Sequence, residues 1–111
     1  MNKTYKIYMK EFLEEGSKAL AGRNMGEIKR KLINLEDLEK QNEIIEIIFP
    51  DDLLSLNTSF FLGFFTPSIR LLKKDGFLKK YIFTGPEKIN STIEKGIIRA
   101  LKDASALEGD K

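Results

Sequence analysis

Two hydrophobic rhythms run along this chain, a period near two and a period near three and a half, and their order predicts its elements. Over residues 5–12, Tyr5, Ile7 and Met9 fall on one side and Lys6, Tyr8 and Lys10 on the other, as in a half-exposed strand. Residues 14–22 carry the breakers Gly16, Ser17 and Gly22 and read as a connection. A helix is predicted from Arg23. Asn24 and Glu27 have capping-box spacing, and Met25, Ile28, Leu32 and Leu35 form an apolar stripe. Lys29, Arg30 and Lys31 fall off that stripe. Asn34 reads as a break before a short second turn through Leu38.

Residues 43–49 give the strongest strand signal. Ile44, Ile45, Ile47, Ile48 and Phe49 crowd both sides, which predicts a central strand covered on both faces and ended by Pro50. A brief strand is expected within residues 53–56. A helix follows from Thr58, with Phe60, Phe61, Phe64, Phe65, Ile69 and Leu72 at helical intervals and a kink expected at Pro67. Asp75-Gly76 reads as a turn, and residues 78–84 as a strand with Tyr81 and Phe83 opposite Lys80, Ile82 and Thr84. Gly85-Pro86 opens a last helix, buried along Ile89, Ile93, Ile97, Ala100 and Leu101. Ser91 and Glu94 have the spacing to start it later, but the stripe reaches back to Ile89. Residues 1–103 are expected to form one domain and 104–111 a fraying tail. Helices between successive strands imply an α/β fold with a small, largely parallel or mixed sheet and about three main helices.

Composition narrows the chemistry. Among 111 residues there is no His, Cys or Trp. That excludes Cys nucleophiles, Ser-His-Asp triads, disulfides and ordinary zinc sites. The formal charge of +2 is too balanced to indicate nucleic acid. Its distribution is uneven. Seven acids lie between Asn34 and Asp52, and nine bases between Arg70 and Lys102. Each run reads as a solvated face or as a partner surface. The start has no apolar signal region, and residues 60–65 are too short to span a bilayer, so the expectation is a cytoplasmic protein away from membranes.

Few residues have a positional case for chemistry. The stretch Gly22-Arg23-Asn24-Met25-Gly26 lacks the spacing of a phosphate-binding loop. Asp51 and Asp52 could hold Mg²⁺ with the help of a substrate phosphate, or form a solvated turn. No His is present to activate Ser or Thr. The expectation is no catalytic residue, no metal and no cofactor. One alternative is a small enzyme or ligand-binding protein using Arg23, Asp51, Asp52 and Thr58 near strand ends.

The segment Glu43 to Arg70, EIIEIIFPDDLLSLNTSFFLGFFTPSIR, joins an apolar strand, an acidic turn, a brief apolar step and a small polar cluster leading into a helix. It resembles the STAS fold of anti-sigma-factor antagonists, in particular the divergent bacterial STAS-like branch. Asn57-Thr58-Ser59-Phe60 matches the Asp-Ser-Ser-Gly-like step of that family, and Gly22-Arg23 matches the step that opens its first helix. The likeness covers residues 20–101. It implies a non-enzymatic protein-binding domain whose partner is an ATPase of the histidine-kinase-like superfamily. It also implies Thr58 or Ser59 as phosphate acceptor, and Arg23, Asp51, Asp52, Asn57, Phe60 and Phe61 as the contact surface. Two positions depart from the family pattern, Asn57 for Asp and Phe60 for Gly. Thr58 or Ser59 could equally serve as the helix cap, and Arg23 could bind an acidic group or a loop carbonyl.

Overall fold

The isoleucine run forms the middle of a sheet. The architecture is α/β, described from a computed structural model over residues 3–109, with side chains to Lys102. The elements are β1 (Thr4–Tyr8), a 3₁₀ turn (Met9–Phe12), β2 (Ala19–Leu20), α1 (Arg23–Leu32), α2 (Leu35–Gln41), β3 (Ile44–Ile48), β4 (Ser55–Leu56), α3 (Thr58–Lys80), β5 (Tyr81–Thr84) and α4 (Ile89–Gly109). The main sheet has the order β1-β3-β5, and a short ladder joins β2 to β4. Both are parallel throughout, with Ile7 opposite Ile47 and Ile45 opposite Tyr81. No helix among the described residues is long and apolar enough to cross a membrane.

β3 is central as its sequence predicts, but among the described residues it is fully covered on one face only. Ile45 and Ile47 are fully buried, whereas Ile44, Glu46 and Ile48 are partly exposed beside Tyr8, Ile82 and Thr84. Strand order explains this. A sheet that grows in one direction, with crossovers of one hand, places every crossover helix on the same side. The first strand is also shorter than predicted. The chain tightens at Met9, because one 3₁₀ turn brings Met9 and Phe12 together into the core.

The largest departure from the sequence reading is the buried face of α1. Of the predicted stripe, Ile28 is 47% and Leu32 70% exposed, while Gly26 and Arg30 are buried. The helix lies backbone against backbone on α3. A β-carbon at Gly26 would stand 2.4 Å from the Phe60 carbonyl oxygen, and one at Gly63 would stand 2.0 Å from that of Arg23. Closest approach, not apolar side chains, sets this contact face. The Asn24–Glu27 capping box does not form. Gly22 is the N-cap, with a φ of 91° that suits glycine, so Asn24 lies inside the helix. Asn34 does break the helix, in the left-handed conformation at φ 53°, and its amide donates to Asp37 at 2.9 Å.

α3 is also longer than predicted. Pro67 sits within it, and the non-helical residue comes later, at Lys73 (φ 63°, ψ 175°). Asp75 and Gly76 are helical rather than a turn, and residues 78–80 are helical rather than strand. This last stretch sets the buried Phe77 four residues before Tyr81, and their rings stack at 4.7 Å. The α4 stripe of Ile89, Ile93, Ile97 and Ala100 is buried as predicted, and Gly96 lies against the Phe61 ring. The helix runs to Gly109, and Asp110 and Lys111 lie outside the described residues.

The α1–α3 contact makes a direct prediction. Gly63→Ala drives a methyl into backbone that cannot swing away, and is expected to cost about 3 kcal/mol or more. Gly76→Ala meets only the Leu72 side chain at 3.3 Å and gains helix propensity, so it is expected to stay within about 1 kcal/mol of wild type. Urea denaturation of the two variants checks the contrast.

Candidate functional site

The β2–β4 ladder places two helix starts side by side. The strands are parallel, with Ala19 opposite Ser55 and Leu20 opposite Leu56. The residues that follow them, Gly22-Arg23 and Asn57-Thr58, therefore emerge at the same end. The Asn57 backbone N–H donates to the Leu20 carbonyl at 2.8 Å and ties the start of α3 to β2. From there α1 and α3 run in the close contact already described.

At the start of α3 the capping role falls to Asn57. Its side-chain oxygen accepts from the Ser59 backbone N–H at 2.8 Å, and its backbone is extended as an N-cap requires. Thr58 and Ser59 lie inside the first turn. Neither hydroxyl makes a hydrogen bond with another described residue, and Ser59 is exposed. Arg23 is exposed at the neighbouring helix start, and its side chain bonds no loop carbonyl there. Helix starts present free N–H groups and the positive end of the helix dipole.

The remaining sequence candidates are placed differently. Phe60 and Phe61 are 2% and 0% exposed, so they belong to the core and not to a contact surface. Phe60 stacks on Phe64, and Phe61 packs on Phe65 and Phe83. A helix that touches α1 on one side and α4 on the other has no free side for these rings. The Phe60 ring, standing where the resembling family has Gly, thus does not obstruct the surface at Ser59. Asp51 and Asp52 precede β4 and lie at the opposite end of the ladder from Thr58. Asp52 pairs with Lys18, which precedes β2, at 3.3 Å. Both groups are exposed, which makes this a surface pair of small energetic value. Arg23 and Thr58 begin neighbouring helices at one end of the ladder, whereas Asp51 and Asp52 lie at its other end. No three carboxylates among the described residues gather in a way that could hold a metal ion.

A buried polar cluster escapes the sequence reading. Arg30 Nη1 donates to the Phe64 carbonyl at 2.7 Å and to the Ser68 hydroxyl oxygen at 2.9 Å. The Ser68 and Tyr81 hydroxyls both donate to Glu39 Oε2. Arg30, Glu39 and Ser68 are all buried, and the cluster ties α1, α2, α3 and β5 together. The signal available in the sequence is the spacing of Gly26 and Arg30. A residue four positions after a close-contact glycine lies on the same helix face.

Tyr81 carries a pH dependence. Burial, first, and the hydrogen bond to Glu39, second, hold its phenol well above the usual tyrosine value near 10. The folded chain therefore holds this proton more tightly than the unfolded chain. The associated stability is complete below about pH 10 and is lost as the pH rises beyond it. Tyr81→Phe is expected to cost about 1–3 kcal/mol at neutral pH, because Glu39 loses a donor. It also removes from the alkaline decline a slope of up to about 1.4 kcal/mol per pH unit. Denaturation curves of both proteins from pH 7 to 11 check this, and equal alkaline slopes would refute it. Asn57→Ala is expected to cost about 1 kcal/mol through the lost cap, measured in the same way. No family model matches the chain, and comparisons with curated proteins and with solved structures return no significant match.

Proposed function

We propose that this chain is a non-enzymatic regulatory module of the STAS-like kind, acting in the cytoplasm by binding another protein. Its contact surface centres on Asn57, Thr58 and Ser59, with Arg23 at its border. One observation carries the reading. Asn57 takes the capping role at α3, and the Thr58 and Ser59 hydroxyls engage no other described residue. The two tasks assigned to these hydroxyls by sequence, capping and accepting phosphate, therefore do not compete.

Three further features support it. The α/β architecture with parallel pairing is the fold class expected for such a module. Ser59 is exposed, so an enzyme can reach it without opening the core. A phosphate in the first turn of α3 would meet free backbone N–H groups and the favourable end of the helix dipole. It would also add about −1.5 to −2 charges at neutral pH, enough to alter how this end meets a partner. By the same resemblance the partner is an ATPase of the histidine-kinase-like superfamily. It binds the unmodified surface and phosphorylates it.

The test is affinity purification of the tagged chain from cells that express it naturally, with phosphosite mapping. The expected result is recovery of such an ATPase by the wild type and phosphate on Thr58 or Ser59. Recovery should fall by on the order of tenfold for Thr58→Glu/Ser59→Asp, which mimics the added charge. Recovery of a different specific complex, undiminished by the double substitution, would overturn the proposal. So would phosphate only at other positions.

A further inference from the structure

Beside the buried Arg30 lies a cleft of about 400 Å³ between α1, α2 and α3. Its charged lining is Arg23, Glu27, Arg30 and Lys31 from α1, Glu36 from α2 and Arg70 from α3. Four cations thus face two carboxylates in one concavity. Such a concentration stands out on a chain whose overall charge is only +2. The volume suits a small molecule.

Most of these cations are uncommitted. Lys18 pairs with Asp52, away from this cleft. Arg30 alone of the four is engaged, through Nη1, with the Phe64 carbonyl and Ser68. Those bonds fix it in place. Its guanidinium is a buried, preorganised charge at the floor of the cleft. Arg70 Nε and Thr66 Oγ1, both in the wall, are buried and make no hydrogen bond. Buried donors of this kind normally have a partner, and a small turn of the Arg70 side chain would offer its planar fork to a ligand. Guanidinium groups match phosphate oxygens in shape as well as charge.

We infer that this cleft binds a small phosphorylated polyol, a sugar phosphate or mononucleotide. The phosphate sits between Arg30 and Arg70, with Arg23 and Lys31 adding charge at the rim. Glu27 and Glu36 oppose a bare polyanion but accept hydrogen bonds from ligand hydroxyls, which is why the class is a phosphorylated polyol and not a bare anion. Leu62 and Pro67 supply the apolar part of the wall for a sugar or base face. The site lies on the α1–α3 flank and depends on neither Thr58 nor Ser59; it shares only Arg23, at its rim, with the border of the regulatory surface.

The test is titration of the full chain, followed by amide NMR shifts, with ribose 5-phosphate, adenosine 5′-monophosphate, inorganic phosphate and ribose in turn, at fixed ionic strength. Saturable shifts at Glu27, Gly63 and Thr66 are expected with the two esters. Inorganic phosphate should bind more weakly, and ribose not at all. Arg70→Gln and, at the exposed rim, Lys31→Gln should each weaken ester binding, Arg70→Gln by on the order of tenfold. Lys31→Gln provides a readout even if Arg70→Gln does not fold. Lys88→Gln, outside the cleft, should leave binding unchanged. Any of three results overturns the inference: no saturable shift with any phosphate at millimolar concentration, inorganic phosphate binding as well as the esters, or equal loss in Lys88→Gln.

Discussion

The approach of α1 to α3 through Gly26 and Gly63 is the constraint on which the rest of the molecule depends. Neither position has room for a β-carbon, because the atoms facing each are the other helix's backbone. With the helices this close, Arg30 reaches across to the Phe64 carbonyl and Ser68. Arg23 and Thr58 begin neighbouring helices because the β2–β4 ladder delivers both chains to that contact from the same end. Of the core aromatics of α3, Phe61, Phe65 and Phe77 face β5, while Phe64 packs on Phe12. Phe65 meets Phe77, Tyr81 and Phe83 within about 6 Å, at separations typical of favourable ring pairs.

The polar cluster under this contact works as a specifying device. A buried Arg and a buried Glu do not touch directly but are joined through Ser68, while Tyr81 supplies the second donor to the carboxylate. Each group loses hydration on burial, and the hydrogen bonds largely offset that loss. Such a cluster contributes less to net stability than to choosing one arrangement, since any slip between α1, α2, α3 and β5 leaves a charge buried without a partner. One role of the non-helical residue at Lys73 is visible here: after it, the last turns of α3 bring Tyr81 to Glu39.

Much of this was legible in the sequence where side chains carry the information. The α4 stripe, the centrality of β3, the break at Asn34 and the polar step Asn57-Thr58-Ser59 all come from residue types at fixed spacing. What could not be read lies where side chains are absent or contacts are distant. The contact face of α1 is marked by a glycine, so the apolar pattern pointed to Ile28 and Leu32 instead. β2 is two residues long and exists through its pairing with β4. The open side of the sheet follows from strand order, which no local pattern encodes. The cations of the α1–α3 cleft come from sequence positions as far apart as Arg23 and Arg70, and only tertiary packing collects them.

The strand pairings also constrain how the chain reaches this state. No described strand pairs with the strand next to it in sequence: Thr4 waits for Ile44, Ile45 for Tyr81 and Ala19 for Ser55. No hairpin is available to nucleate the sheet, and each ladder must close a long loop before it gains a hydrogen bond. Early order therefore falls to the helices. During synthesis β1 leaves the ribosome well before its partner exists, and the main sheet is complete only when β5 arrives.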